Sequence, residues 1–338
     1  MSGLRICLPF LALSPPSWQG PCLKSPFHAP GGECRGASPL CRGHGGVPRI
    51  WLHHPLPGQD GGRGDGRNGR GAPASQERVE VVRQSQMDEA SSGPAPGAGW
   101  PTLAAGAKQA GCELTEHQVE LFGRYLAGLS AWSGRANLVS ASALADAERV
   151  LFLDSLALVP VLRREQPAVA RLIDVGSGAG FPGLVLKLLL PELDVVLLEA
   201  TRKKASFLTW MAEDLGLDGV QVRAERAEEA ARDGALRDSF DVATARALGP
   251  LPVVLELALP FCKTGGTLLA PRGASVAAGE AAASRSAAAA LGGRIAGVER
   301  PAVEGVAERT AIVVVEKTSA TPPRFPRRTG IPAKRPLA

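Results

Sequence analysis

The sequence predicts an α/β protein built on a doubly wound, mostly parallel sheet, and three observations carry that expectation. Residues Arg171 to Gly183 read RLIDVGSGAGFPG, a short apolar run around Asp174 followed by a glycine-dense turn, and the apolar segment Leu184 to Leu190 comes next. Strand, glycine turn and helix open a nucleotide-binding sheet, because backbone must approach the ligand closely and glycine permits that. Downstream, the apolar runs LDVVLLEA, VQVRAERAEE, FDVATARA, TLLAPRG and AIVVVEK alternate with helical patterns, as right-handed strand–helix–strand crossovers require. Finally, Glu199 closes the second run 23 residues past Gly176, about the spacing at which a second-strand acid meets ribose hydroxyls. A solvated carboxylate at a strand end is the plainer reading of that residue.

The turn itself narrows the ligand. A phosphate-binding P-loop needs Gly-Lys-Ser/Thr, and no lysine occurs in the turn before Lys187. The dinucleotide form needs a third glycine where Phe181 stands. What remains is G-x-G-x-G (Gly176, Gly178, Gly180) with Asp174 two residues ahead. That variant suits S-adenosylmethionine, whose sulfonium and amino group make a nearby acid useful. The alternative is a glycine turn that merely joins two buried elements.

Taken from the N-terminus, the first 98 residues are dense in Gly, Pro, Ser and Arg, with runs such as GQDGGRGDGRNGRGAPAS that cannot bury enough apolar surface to offset chain entropy. They are expected to be a disordered extension. Ile6 to Leu13 is short for a signal sequence and lacks a small-x-small cleavage site. An organelle transit peptide competes with a true start at Met87, and the latter is the expectation. Removing residues 1 to 86 should therefore leave the melting temperature and activity nearly unchanged, which thermal unfolding and activity measurements on the truncated chain would check. Of six cysteines, Cys7, Cys22, Cys34 and Cys41 lie in this segment without C-x-x-C spacing, so no metal site is expected and a reducing, cytoplasmic setting is. No run approaches the ~20 apolar residues of a membrane span. The net charge of +5 and pI near 9.0 permit a nucleic-acid partner without demanding one.

Residues 99 to 166 read as a small helical cap. Leu114 to Ser133 is amphipathic, with Val119, Phe122, Leu126 and Leu129 on one face and a Thr115–Gln118 capping box. RANLVSAS interrupts the pattern, which resumes through Val150, Phe152, Leu153, Leu156 and Val159, bounded by Pro160 and Pro167. Residues 167 to 318 hold the sheet. Its second helix, Arg202 to Leu215, opens with Arg202, Lys203 and Lys204, although cations at a helix N-terminus oppose the macrodipole. Phosphate binding would explain that misfit; a solvated basic cluster would not need to. Arg246 stands at the carboxyl end of the fourth strand, where open α/β sheets place ligands, unless it only caps a surface loop. Arg272 ends the fifth strand, residues 274 to 290 are an Ala-rich helix, and Ala311 to Lys317 close the sheet. Residues 319 to 338 form a basic, Pro-rich tail with Arg324, Arg327, Arg328, Lys334 and Arg335 among five prolines, a segment expected not to fold alone and to serve as a phosphate-binding arm.

LIDVGSGAGFPG, LLEATRKKASFL, ATARALGPL, LPFCKTGGTLLAPRG and PRRTGIPAKRPL resemble, in order, the bacterial small-subunit rRNA methyltransferase G family, formerly glucose-inhibited division protein B. The resemblance runs from about Leu114 to Leu337. It implies a class I, Rossmann-like S-adenosylmethionine methyltransferase sheet with an N-terminal cap. The implied cofactor positions are Asp174, Gly176, Gly178, Gly180, Phe181, Glu199, Ala227, Glu228 and Arg246, with Ala227–Glu228 flanking the adenine. RNA contacts are expected at Arg202, Lys203, Lys204, Arg272, Arg327 and Arg328. Asn137–Leu138 and Asp154–Ser155–Leu156 match family landmarks, whereas the usual Arg-His before the latter is Val150–Leu151 here, with Arg149 as the available substitute.

The acceptor type is consistent with the resemblance. There is no [DN]-P-P-[FY] motif for an exocyclic amine, and Cys262 precedes the fifth strand, which suits packing rather than attack on a pyrimidine. Guanine N7 offers a free lone pair and needs no general base. The implied reaction is N7 methylation of a guanine in 16S rRNA, on naked RNA, the 30S subunit or an assembly intermediate, by a monomer. Arg246, the expected catalytic residue, orients either the donor's carboxylate or the base's O6. A small-molecule methyltransferase, an oxidoreductase and a non-catalytic assembly factor remain as rival readings.

Overall fold

The computed structural model describes residues 100–338, so the expectations for the first 98 residues lie outside the described part of the chain. Strands β1 (Arg171–Val175), β2 (Asp194–Leu198), β3 (Val220–Arg223), β4 (Phe240–Thr244), β5 (Cys262–Gly273), β6 (Gly293–Glu299) and β7 (Thr310–Lys317) form one sheet in the order β3-β2-β1-β4-β5-β7-β6. The first five run parallel, and β7 is antiparallel to both β5 and β6. The fold is thus the doubly wound, mostly parallel sheet the sequence predicts. Near-continuous burial of Leu172–Val175, Val195–Leu198 and Phe240–Thr244 is what a sheet covered on both faces demands. The chain steps outward from β1 to β2 and β3, then returns to the other side of β1 as β4. That reversal, between β1 and β4, is the switch point beyond whose carboxyl strand ends sheets of this kind bind ligands.

Helix α1 (Pro101–Gln109), α2 (Glu116–Ala136), α3 (Ala141–Ala145) and α4 (Val159–Glu165) make the cap, with a turn of π-helix at Glu148–Leu153 running into a short turn at Asp154–Leu156. The capping box is present: Thr115 Oγ1 accepts the Gln118 N–H at 3.1 Å and Gln118 Oε1 accepts the Thr115 N–H at 3.0 Å. Glu148 caps α1 from outside, accepting the N–H groups of Thr102 and Leu103. Along α2 the buried stripe is Leu121, Phe122, Tyr125 and Leu129, while Val119 and Leu126 are only half-buried. Pro160 does not bound the following helix. It sits in the first turn of α4, where its missing N–H costs nothing. A single apolar cluster runs from Leu103, Phe122 and Phe152 to Leu184, Leu186 and Val242, so cap and sheet face share a core.

After β1 come α5 (Gly183–Leu189), α6 (Arg202–Asp214), α7 (Ala227–Ala230), α8 (Leu251–Ala258), α9 (Ala277–Ala283), α10 (Arg285–Ala290) and α11 (Ile331–Lys334). The Ala-rich segment is two helices broken at the buried Ser284, and β6, absent from the sequence reading, follows it. Cys262 is fully buried at the start of β5, and burial pushes its thiol up to about 12, as packing rather than nucleophilic chemistry implies.

The tail departs most from expectation. Phe325 and Thr321 are buried; Arg237 donates to the carbonyls of Thr321 (2.7 Å) and Phe325 (3.0 Å), and Arg232 to that of Pro326 (3.1 Å). Arg327 grips the fully buried Glu256 of α8 through Nε (2.8 and 3.0 Å) and Nη2 (2.5 Å). An unpaired buried carboxylate is costly, so this guanidinium is committed to the fold and not to RNA phosphate.

Candidate functional site

The glycine turn folds back against the end of β2. The N–H groups of Gly176 and Ser177 both donate to the Leu198 carbonyl (2.8 and 3.1 Å), and that of Gly178 donates to Glu199 Oε2 at 2.9 Å. Gly178 has φ +59°, and a Cβ built on it would meet no protein atom closer than the Gly176 carbonyl at 3.9 Å. The space in front of this backbone is therefore open. At Gly180 a Cβ would collide with the Tyr125 hydroxyl and Leu184, so there glycine serves packing.

Two buried acids face the turn. Asp174 is inaccessible to solvent; its Oδ2 accepts the Gly183 N–H at 3.0 Å, while Oδ1 has no partner. Burial pushes its carboxyl up to about 7, against the opposing pull of the Gly183 N–H and of Arg246. Its register partner on β4, Thr244, is also fully buried, with Oγ1 unpartnered. Two unpartnered polar atoms thus lie buried at neighbouring strand ends, where the described protein atoms leave their hydrogen bonds unmade. Glu199 is 7% exposed at the tip of β2, where Oε1 accepts the Thr201 N–H at 2.7 Å.

Arg246 lies two residues past β4, partly buried, with its guanidinium 5.5 Å from the centre of the Phe181 ring and Nη1 donating to the Val150 carbonyl at 3.2 Å. Burial lowers its pKa, opposed by Asp154, Asp174 and Tyr125. Ala247, next along, takes φ +56°, an uncommon conformation for a residue with a Cβ and of a kind that collects at functional turns. The carbonyl that Arg246 uses belongs to the π-helical turn, so the cap orients this side chain. Asp154 itself accepts Arg309 Nη2 at 2.7 Å.

Tyr125, the only tyrosine in the chain, was not anticipated. Its ring stacks on Phe181 at 5.2 Å and 4°, and its hydroxyl donates to the Ala179 carbonyl at 2.6 Å. It clamps the glycine turn to α2. The only signal in the sequence is its place between Phe122 and Leu129 on the buried stripe.

Asp174, Gly176, Gly178, Gly180, Phe181, Glu199 and Arg246 are thus brought together at the carboxyl ends of β1, β2 and β4. Ala227 and Glu228 open α7 beyond β3, whose end is tied to β2 by the Glu199 N–H on the Arg223 carbonyl (3.0 Å). Of the basic residues, Arg202 and Lys203 are exposed and Lys204 half-buried at the start of α6, and none of the three pairs with an acid among the described residues. Arg328 is exposed as well. Arg272 differs: Nε and Nη2 hold Glu280 at 2.6 and 2.9 Å and Nη1 donates to the Gly249 carbonyl at 2.8 Å, so, like Arg327, it is engaged inside the protein.

Residues 118–299 match the family model described as rRNA small subunit methyltransferase G. A protein of Roseiflexus castenholzii named ribosomal RNA small subunit methyltransferase G is 45% identical over 227 residues, covering 67% of this chain and 95% of that protein. Proteins of the same name are 39% identical in Dehalococcoides mccartyi strain CBDB1, over 70% of this chain and 98% of theirs, and 42% in Rubrobacter xylanophilus, over 67% and 87%. With its glycine turn, strand-tip acid and post-β4 arginine gathered at the carboxyl ends of the central strands and nearly the whole length of these relatives matched, the chain belongs to the rRNA small subunit methyltransferase G family.

Proposed function

We propose that this protein transfers the methyl group of S-adenosylmethionine to N7 of a guanine in 16S rRNA. The observation that carries the reading is the strand reversal, which brings Gly178, Glu199 and Arg246 to the carboxyl ends of β1, β2 and β4 above the buried Asp174, in a chain of this family. The residues present fit the cofactor: an open approach over Gly178, a buried Asp174 with one unpartnered oxygen beneath it, a strand-tip Glu199 for the ribose hydroxyls, and a partly buried Arg246 with a single hydrogen bond among the described residues. When bound, S-adenosylmethionine supplies an electrophilic methyl group on a cationic sulfonium. The chain contributes alignment, which is worth roughly 7 to 11 kcal/mol when reacting atoms are held in near-attack geometry. N7 has no proton to remove, so no side chain need act as base.

The exposed Arg202 and Lys203, with Lys204 and Arg328, support an RNA phosphate contact. The proposed substrate is 16S rRNA, as naked RNA, in a 30S subunit or in an assembly intermediate, with the enzyme acting as a monomer in the bacterial cytoplasm. No helix among the described residues is long and apolar enough to cross a membrane. Mass mapping of modified nucleotides in 16S rRNA from cells with and without the gene tests the reaction: loss of one 7-methylguanine is expected, and an unchanged map contradicts it.

Two substitutions separate the roles. Lys203→Ala should lower the slope of log affinity for rRNA against log salt by roughly 0.7 to 0.9, one phosphate's share, and leave S-adenosylmethionine affinity unchanged. An unaltered slope by filter binding would remove Lys203 from the RNA interface. Arg246→Ala should reduce turnover by at least ten times more than it reduces RNA affinity, in single-turnover kinetics beside the same binding assay.

A further inference from the structure

Within the motif PRRTGIPAKRPL only part of the charge is free to meet RNA: Arg328 is exposed, whereas Arg327 is paired inside the protein. Arg327 anchors the motif on Glu256, and the next residues reach α7: the Gly330 N–H donates to Glu228 Oε1 at 2.8 Å, and Thr329 Oγ1 meets Glu229 Oε1 at 3.2 Å. Glu228 is only 7% exposed, and its Oε2 has no hydrogen-bond partner among the described residues. Gly330 takes φ +80°, and a Cβ there would meet nothing within 4 Å, so its glycine answers to backbone conformation rather than to crowding. The Ile331 N–H closes the turn on the Arg328 carbonyl at 2.9 Å, and α11 follows. A short, tightly folded segment thus aims one backbone N–H at one carboxylate oxygen.

We propose that the C-terminal tail is the outer part of the cofactor site: Gly330 is a positioning residue whose N–H fixes the Glu228 carboxylate so that its free oxygen accepts the exocyclic amine of adenine. This rests on the reading that the site at the strand reversal binds S-adenosylmethionine with its ribose at Glu199, which puts the base toward the adjoining end of β3 and α7. A donor on Oε1 holds the side chain in one orientation and leaves Oε2 for the ligand. The base of the cofactor is then recognised with the help of an element more than 100 residues beyond Glu228, held there by the grip of Arg327 on the buried Glu256.

The test is discrimination between S-adenosylmethionine and its 6-oxo (inosine) analogue, which lacks the amine, measured by calorimetry on the full chain. The wild type should prefer the adenine form by roughly tenfold or more, the effect of one unpaired buried acceptor. A chain ending at Arg328, which keeps the Arg327 anchor, and Gly330→Val, whose branched side chain disfavours the left-handed turn, should lose most of that preference. In both, the adenine form weakens and the inosine form changes little. Gly330→Asn, which tolerates positive φ, should retain it. Full discrimination in the shortened chain, or equal weakening of both ligands with a lowered melting temperature, overturns the proposal. So does a wild type that binds S-adenosylmethionine without discriminating, whereas a wild type that binds neither ligand overturns the proposed function as well.

Discussion

Gly178→Val should abolish S-adenosylmethionine binding, raising the dissociation constant at least a hundredfold, while the protein stays folded. Two effects separate cleanly at this position. The backbone sits at φ +59°, where a side chain costs on the order of 1 to 2 kcal/mol and a branched one more. That is a fraction of a typical stability of 5 to 15 kcal/mol. The Cβ would meet no protein atom nearer than 3.9 Å, so that atom adds no clash with the protein. In the proposed site, the volume it fills is the one over which the ligand passes. Gly178→Ala should lie between, with the same backbone strain and less occluded volume. Calorimetry and thermal unfolding on the same samples check this; undiminished affinity in Gly178→Val would mean that the ligand does not cross the turn.

The residues around that turn show why part of the site can be read from sequence and part cannot. Asp174, Gly178 and Glu199 are bound to the strand–turn–strand register, because a glycine turn after β1 and an acid at the tip of β2 are adjacent in any parallel sheet of this kind. Nothing local places Tyr125 on Phe181. A tyrosine on an amphipathic helix reads as core, and only the packing of α2 over the turn, 54 residues on, gives its hydroxyl the Ala179 carbonyl. The cations divide for a related reason. Arg202, Lys203 and Lys204 pair with no acid among the described residues, whereas Arg272 and Arg327 meet Glu280 and Glu256, partners whose distance along the chain carries no signal. The tail, which could not fold alone, is ordered by arginine–carbonyl and arginine–carboxylate contacts with the domain and by the scattered apolar Phe325 and Leu337, which leave no apolar period to detect. Strand β6 escapes for another cause: GRIAGVE is an edge strand with an irregular register between Ile295 and Gly297, so its alternation is broken where it should be plainest.

The second large effect is expected from Asp174→Asn, and it has opposite signs for stability and for binding. In the folded protein without ligand the Asp174 carboxyl is pushed up to about 7, chiefly by burial, whereas in the unfolded chain it titrates near the ordinary ~3.9. Between those two values the unfolded state has lost the proton and the folded state keeps it, so the unfolded state binds fewer protons and stability falls as pH rises. Below about pH 4 the residue makes no difference; above about pH 7 the penalty is complete, at up to about 4 kcal/mol for a shift of this size. Asparagine imitates the protonated acid: its carbonyl accepts the Gly183 N–H as Oδ2 does now, and it carries no charge to bury. Asp174→Asn should therefore unfold at a higher temperature than the wild type at pH 8, by a margin that shrinks steadily toward pH 4. Binding should move the other way. A cationic ligand in the proposed site favours the ionised acid, and asparagine cannot supply that charge, so affinity for S-adenosylmethionine should drop most at pH 8, where the wild-type carboxylate is available. Thermal unfolding across pH, with calorimetric titration of the same two proteins, measures both. Equal stabilisation at pH 4 and pH 8 would place the gain in packing and not in the carboxyl's ionisation.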